Sequence, residues 1–141
     1  MTRMSQSKTY DGGCHCGEVR FAVELDLEAA VGRCNCTLCT KRSALVMIVK
    51  PSAFRLVAGE ASLGSYEWGG RTGQFHFCTR CGIHVFGRGN LPELGGAYGS
   101  VNINCIDDID PSTLKVVYWD GRHNNWHAGP RDQPWPVNPA S

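Results

Sequence analysis

Short runs of alternating or continuous hydrophobic positions follow one another along most of the chain. Residues 18–25 alternate between apolar and polar, which predicts a strand with one buried face. The buried face comprises Val19, Phe21, Val23 and Leu25. The continuous apolar run 44–49 is typical of a buried strand. Further strands are predicted over 54–57, 63–68, 74–78, 84–88, 98–105 and 115–119. The pattern therefore predicts a mainly β protein.

Helical signals are limited to single turns at 51–53 and 110–113. In the second turn, Asp110 suits the N-cap and Pro111 suits the first helical position. A tight turn is predicted over 68–71, which reads Trp-Gly-Gly-Arg. Four of the 7 prolines fall in the final segment. We therefore predict one domain over residues 10–126, followed by an extended Pro-rich tail over 127–141.

Charge and hydropathy exclude several classes of partner. The 141 residues include 14 Lys and Arg against 13 Asp and Glu, whereas a nucleic-acid surface normally shows a basic excess. No apolar run is long enough to cross a bilayer. Residues 1–8 are polar and lack the apolar segment of a signal peptide. We expect a cytoplasmic protein with reduced thiols and with neither nucleic-acid nor membrane partners.

The 8 cysteines are the unusual feature of the composition. Three clusters hold seven of them: Gly-Cys-His-Cys-Gly at 13–17, Cys-Asn-Cys-Thr-Leu-Cys at 34–39 and Cys-Thr-Arg-Cys-Gly at 78–82. Such spacings let neighbouring sulfurs reach one tetrahedral ion when the backbone turns, and Gly17 and Gly82 ease that turn through positive φ. In a reducing compartment the clusters predict zinc binding.

The seven clustered cysteines divide most simply into four and three. A structural zinc takes four protein ligands, and a catalytic zinc takes three and keeps one position open. The compact triple comprises Cys34, Cys36 and Cys39. The closed site would then comprise Cys14, Cys16, Cys78 and Cys81. Spacing leaves two alternatives open: Cys105 or a histidine could complete the triple, and a pair of cysteines could form a disulfide.

The order CxC, CxCxxC, CxxC resembles the glutathione-dependent formaldehyde-activating enzyme (GFA) family, which includes centromere protein V-type domains. The resemblance covers roughly residues 10–122 and includes Val-Asn-Ile-Asn-Cys-Ile-Asp at 101–107. It implies that residues 10–126 form a GFA-type zinc-binding domain. It also implies a mainly β fold of several coiled antiparallel sheets stapled by zinc, similar to methionine sulfoxide reductase B-like zinc folds.

The resemblance also implies roles for the cysteines. A structural zinc is expected on Cys14, Cys16, Cys78 and Cys81, and a catalytic zinc on Cys34, Cys36 and Cys39. The implied activity is that of a carbon–sulfur lyase similar to S-(hydroxymethyl)glutathione synthase, acting on a small thiol or thiol–aldehyde adduct of the glutathione–formaldehyde type. Two zinc ions per chain are expected, with the second labile because an open thiolate triad is exposed to oxidation and chelation.

The alternative is a non-catalytic, zinc-stabilised binding module of the same family. The two functions differ in whether the zinc on the triple has an exchangeable fourth ligand. A nucleic-acid role, by analogy with centromere protein V, is disfavoured by the balanced charge. Three further residues have weaker interpretations. His15 is expected on the surface, His84 either orients a ligand or packs in its strand, and Cys105 is expected to be a buried free thiol.

Overall fold

The protein was analysed as a computed structural model, which describes residues 7–67 and 73–137. The described residues form ten strands and one α-helix, α1, over Thr37–Arg42. The strands are β1 Lys8–Gly13, β2 Arg20–Leu25, β3 Val31–Cys34, β4 Val46–Val49, β5 Phe54–Ala58, β6 Leu63–Glu67, β7 Gly73–Cys78, β8 His84–Leu91, β9 Gly96–Asn102 and β10 Val116–Trp119. The prediction of a mainly β fold is confirmed.

The strands form two sheets. The smaller sheet has three antiparallel strands in the order β1-β2-β5, and the larger has seven in the order β10-β3-β4-β9-β8-β7-β6. Strands β3 and β10 run parallel, in a register that pairs Trp119 with Cys34, whereas the other pairs are antiparallel. This parallel pair departs from the antiparallel expectation, and it brings the end of β10 beside the second cysteine cluster.

The core lies between the two sheets. The predicted apolar face of residues 18–25 is buried, since none of its side chains is more than 4% exposed: Val19, Phe21, Val23 and Leu25. Phe54 of β5 stacks on Phe21 of β2 at 5.3 Å between ring centroids and meets Phe86 of β8 at 4.5 Å. Because Phe86 belongs to the larger sheet, these rings join the two sheets through aromatic packing.

Several local predictions can be compared with the structure. Single 3₁₀ turns form at Pro51–Ala53 and Pro111–Thr113, and the side chain of Asp110 accepts the Ser112 N–H at 3.0 Å as a cap. The strand predicted over 98–105 ends at Asn102, because its side chain accepts the Asn104 N–H and a 3₁₀ turn follows. The turn predicted over 68–71 lies outside the described residues.

The α-helix and two of the strands were absent from the predicted pattern. The expectation that helices are limited to single turns is wrong, since α1 is an α-helix. It is only six residues long, and the sulfur of Cys36 caps it by accepting the Cys39 N–H. Strands β1 and β3 lack a clear hydrophobic alternation, and pairing with β2 and β10 fixes them instead. Tertiary pairing here overrides local propensity.

The described part of the C-terminal tail lies against β10. Arg131 and Tyr118 exchange two backbone hydrogen bonds, of 2.7 and 3.1 Å. Trp135 Nε1 also donates to the carbonyl oxygen of Tyr118 at 2.9 Å. These contacts place the tail next to the parallel β3–β10 pair. Among the residues that the structure describes, there is no helix with the length and hydropathy of a membrane span.

Candidate metal centres

Four cysteines from two distant parts of the chain meet at one point. Cys14 follows β1 and Cys78 ends β7, while Cys16 and Cys81 lie in the turns that follow. All four sulfur atoms lie within 4.8 Å of one another. The Cys14 and Cys16 sulfurs are 3.6 Å apart. This arrangement offers four thiol ligands to one tetrahedral ion.

Two glycines shape the turns that hold this group. Gly17 and Gly82 have φ of +86° and +80°, which confirms the predicted positive φ at both turns. The Gly82 N–H donates to the carbonyl oxygen of Cys78 at 2.7 Å, which closes the second turn. The Val19 N–H donates to the sulfur of Cys14 at 3.2 Å. Such N–H donors favour the thiolate form that a metal requires.

Burial distinguishes the four-cysteine group as part of the core. Cys78 is 0% exposed and Cys14 is 7% exposed, and both pack within the main hydrophobic cluster. Cys16 is exposed, so the group reaches from the core to the surface. Because β1 belongs to the smaller sheet and β7 to the larger, an ion held here would bind the two sheets together.

The second group comprises three cysteines around the start of α1. Cys34 ends β3, Cys36 is the N-cap of α1, and Cys39 lies in its first turn, with the three sulfurs within 4.8 Å of one another. Among residues 7–67 and 73–137, neither Cys105 nor any histidine or carboxylate joins them. All eight cysteines are free thiols. The described residues therefore bring three sulfur donors together in this group, one fewer than in the first group.

Proximity controls the ionisation of the triad. Hydrogen bonds from Cys34 and then from Cys39 lower the pKa of the Cys36 thiol to about 2. Contacts with Cys36 and Cys39, together with burial, raise the pKa of Cys34. One thiolate therefore forms readily and a second is suppressed by like-charge repulsion. Three thiolates need a cation at their centre, and this sulfur donor set suits zinc.

Arg42 is a positively charged side chain in contact with the triad. Its Nη2 points to the sulfur of Cys39 at 3.7 Å. The guanidinium lies over the ring of Phe75 at 4.8 Å, a cation–π contact that fixes its position. A zinc ion bound by three thiolates would carry a formal negative charge, which Arg42 would partly offset.

The segment 120–126 packs onto the triad, a contact that the sequence did not predict. A Cβ added to Gly121 would lie 2.5 Å from the sulfur of Cys34 and 2.8 Å from the ring of Trp126. Only a glycine allows this approach. The contact depends on the parallel pairing of β3 with β10, and no local sequence pattern predicts that pairing.

A buried carboxylate organises this segment. Asp120 is 5% exposed and shares hydrogen bonds of 2.8 Å with Asn35 Nδ2 and with His123 Nδ1. Asn35 lies between two of the triad cysteines, and its Oδ1 accepts the Arg122 N–H at 2.9 Å. The loop after β10 and the CxCxxC loop are therefore held together by one hydrogen-bond network.

Two cavities lie near the cysteine groups. The larger, of about 800 Å³, separates the four-cysteine group from α1 and is lined by Cys14, Lys41, Arg42, His84 and Cys105 among others. The smaller, of about 240 Å³, opens on the triad. Its walls include Cys34, Cys39, Tyr118, Trp119 and Trp135. Of these two cavities, the smaller is lined by triad residues, Cys34 and Cys39, and the described lining of the larger includes none of them.

The remaining candidate residues lie outside the two sulfur groups. His15 is exposed, as expected for a surface residue. His84 stacks on Phe77 at 5.5 Å between ring centroids, and its Nδ1 is buried without a hydrogen-bond partner among the described residues. Cys105 packs against the core, and burial raises the pKa of its thiol to about 12. Cys105 is therefore a free thiol, as expected, but it is only partly buried.

Comparison with known proteins defines the family. The family profile described as glutathione-dependent formaldehyde-activating enzyme matches residues 9–120. The chain therefore belongs to this family, and the resemblance seen in the cysteine clusters is confirmed. The segment that follows residue 120, including the docked tail, lies beyond the matched range.

Two similar proteins extend this comparison. A Halomonas elongata protein named "Putative glutathione-dependent formaldehyde-activating enzyme" is 35% identical over 79 residues, covering 50% of each chain. This chain thus matches about half the length of that relative. A crystal structure of a Rhodobacter sphaeroides protein, solved as a structural genomics target, is 34% identical with a TM-score of 0.67. That match covers 77% of this chain and 98% of the other.

Proposed function

We propose that the protein is a zinc-dependent carbon–sulfur lyase that joins a small thiol to an aldehyde, or separates the two. The observation that supports this most strongly is the difference between the two sulfur groups. One offers four protein donors, and the other, Cys34, Cys36 and Cys39, offers three beside an open cavity. The family description and the name of the Halomonas relative support glutathione and formaldehyde as the reactants.

The residues present fit two zinc ions with different roles. The structural ion would be held by Cys14, Cys16, Cys78 and Cys81. The second would be held by the triad, and when bound it supplies a Lewis acid and keeps coordinated thiols in the thiolate form. A closed four-ligand site holds structure, whereas a three-ligand site leaves room for an exchangeable ligand.

The reaction needs no oxidant or reductant. In the forward direction a bond forms between the thiol sulfur and the carbonyl carbon, the carbonyl π bond breaks, and the thiol proton ends on the oxygen. The reverse direction restores the thiol and the aldehyde. The chain's own contribution is to position the reactants: Arg42 places a positive charge beside Cys39, and Trp119 and Trp135 are among the residues that line the cavity beside the triad.

The proposal is tested by exchange spectroscopy, because thiols and formaldehyde also combine without a catalyst. Zinc-loaded protein is added to glutathione and formaldehyde at equilibrium, and magnetisation exchange between free and adduct carbon is measured by NMR. We expect the exchange rate to rise in proportion to protein concentration. Cys36→Ser should remove this increase, and Cys105→Ser should retain it as the matched control.

An exchange rate that does not depend on the protein would contradict the lyase proposal. If the native protein and Cys36→Ser both give the uncatalysed exchange rate, while the native protein holds two zinc ions, the lyase proposal is wrong. The protein would then be the zinc-stabilised binding module that the sequence left as the alternative.

A further inference from the structure

We propose that the larger cavity holds the peptide part of the thiol substrate, and that Arg42 and Lys41 bind its carboxylate. This inference rests on the proposed function, because it names the class of thiol that the triad receives. That class is a thiol on a short peptide with a free carboxyl end, as in glutathione. The larger cavity has α1 on one side and the turns of the four-cysteine group on the other.

One face of α1 forms the positive side of the larger cavity. Leu38, Lys41 and Arg42 line it, and positions three and four apart in a helix lie on the same face. Lys41 is exposed and Arg42 is partly buried. Among residues 7–67 and 73–137, no carboxylate forms an ion pair with either side chain. Both cations are therefore available to an anionic ligand.

Arg42 connects the larger cavity to the triad. Its Nη2 lies 3.7 Å from the sulfur of Cys39, and its guanidinium is held over the ring of Phe75 at 4.8 Å. Because a guanidinium has five N–H donors in one plane, Arg42 can contact Cys39 with one nitrogen and a carboxylate with another. Ser43, directly after Arg42, lines both cavities. The two cavities therefore adjoin at the end of α1, next to the triad.

The other titratable groups of the larger cavity leave the charge at α1 uncompensated. Asp107 lines the cavity, but it forms an ion pair with Arg20. His84 also lines the cavity, and burial followed by the charge of Arg42 lowers its pKa. His84 is therefore neutral at neutral pH and adds no charge. The positive charge beside the triad comes from Lys41 and Arg42, which favours a carboxylate at this end of the cavity.

Size and reach suit a short peptide thiol. The volume of about 800 Å³ lies within the roughly 300–1,000 Å³ that is usual for small-molecule sites. Two extended residues span at most about 7 Å. In glutathione the sulfur-bearing residue directly precedes the terminal glycine, so the sulfur and the glycine carboxylate can lie on the two sides of Arg42. A simple aliphatic thiol lacks the group that Arg42 and Lys41 would bind.

The test measures binding of S-methylglutathione, which has no free thiol and so reports binding separately from reaction. Its dissociation constant with zinc-loaded full-length protein is measured by NMR titration, beside that of the derivative whose glycine carboxylate is replaced by an amide. We expect the carboxylate form to bind about tenfold more tightly, because charge-assisted hydrogen bonds are lost in the amide. Equal dissociation constants, or no binding of either probe, would overturn the proposal.

Two variants assign the effect to α1. Arg42→Gln should remove most of the advantage of the carboxylate form, and Lys41→Gln should reduce it. Arg88→Gln is the matched control for Arg42, because its guanidinium also lies over a phenylalanine, Phe86, but lines neither cavity. Lys50→Gln, which changes an exposed lysine outside both cavities, is the control for Lys41. An undiminished advantage in folded Arg42→Gln, or in Lys41→Gln if the first variant unfolds, would overturn the assignment.

The formaldehyde exchange measurement keeps this inference separate from the proposed function. If both probes bind equally while the native protein accelerates exchange, the carboxylate site is wrong and the lyase proposal stands. If the carboxylate form binds more tightly but exchange stays at the uncatalysed rate, the larger cavity is a binding site for a peptide thiol and the lyase proposal is wrong.

Discussion

The sulfur of Cys16 lies 3.7 Å from the sulfur of Cys78, although 62 positions separate the two residues in the chain. The contact ties the turn after β1, in the smaller sheet, to the end of β7, in the larger sheet. Structural zinc supplies roughly 10–16 kcal/mol in small peptides. Net domain stability is only about 5–15 kcal/mol. We therefore expect that an ion bound at this point would hold the two sheets together.

Cys78→Ala should unfold the protein under native conditions. The substitution removes a fully buried ligand and leaves three thiols without a closed coordination shell. Circular dichroism and thermal melting measure the loss, and Cys105→Ala provides the matched control because Cys105 belongs to neither sulfur group. A folded Cys78→Ala protein with full zinc content would contradict the structural role.

Cys36→Ser should lose one zinc ion and keep the fold. The triad lies at the N-terminus of a six-residue helix at the edge of the core, and all three of its residues are only partly buried. Elemental analysis by mass spectrometry gives the zinc content, and circular dichroism gives the fold. If the folded variant kept both zinc ions, the triad would not be a metal site.

Gly121→Ala should lower zinc occupancy at the triad. The new Cβ would lie 2.5 Å from the sulfur of Cys34, so either the sulfur or the loop must move. Gly99→Ala is the control, since its new Cβ would meet only ordinary contacts from 3.4 Å. Zinc titration of both variants makes the comparison. Equal affinity in the two would show that the loop after β10 does not shape the metal centre.

Asp120→Asn should lower the urea midpoint of unfolding at neutral pH. Burial opposes ionisation of Asp120, but hydrogen bonds from Asn35, His123 and Asn125 outweigh it and hold its pKa below the ordinary value. A carboxyl whose folded-state pKa is depressed stabilises the fold above its unfolded pKa and loses that effect as the pH falls through the folded pKa. The exposed Asp132→Asn is the control, and an equal midpoint in both variants would refute the network.

The cysteine spacing predicted the grouping of the sulfur atoms better than it predicted the residues around them. The two groups that the structure brings together are the same four and three that the clusters suggested, because short spacings at glycine turns restrict where sulfurs can point. Spacing could not show whether Cys105 joined the triad. That answer depends on how β9 ends, which is a matter of tertiary structure.

Sequence periodicity predicted elements with a buried face and missed those fixed by pairing. The alternation around Phe21 predicted β2 correctly, because one side of that strand is buried. Strand β3 is short and contains Gly32, so only its neighbours β4 and β10 define it. The same parallel pairing brings Gly121 onto Cys34. Residues near the triad were therefore not predicted where a contact between distant segments, rather than a local pattern, places them there.

The most direct test of the open triad is cadmium NMR of the protein with cadmium in place of zinc. We predict two resonances, of which one shifts when glutathione is added and disappears in Cys36→Ser, while the other is unaffected by either change. If neither of two resonances shifts when glutathione is added, or if fully loaded protein gives a single resonance, the metal held by Cys34, Cys36 and Cys39 has no exchangeable ligand position and the account is contradicted.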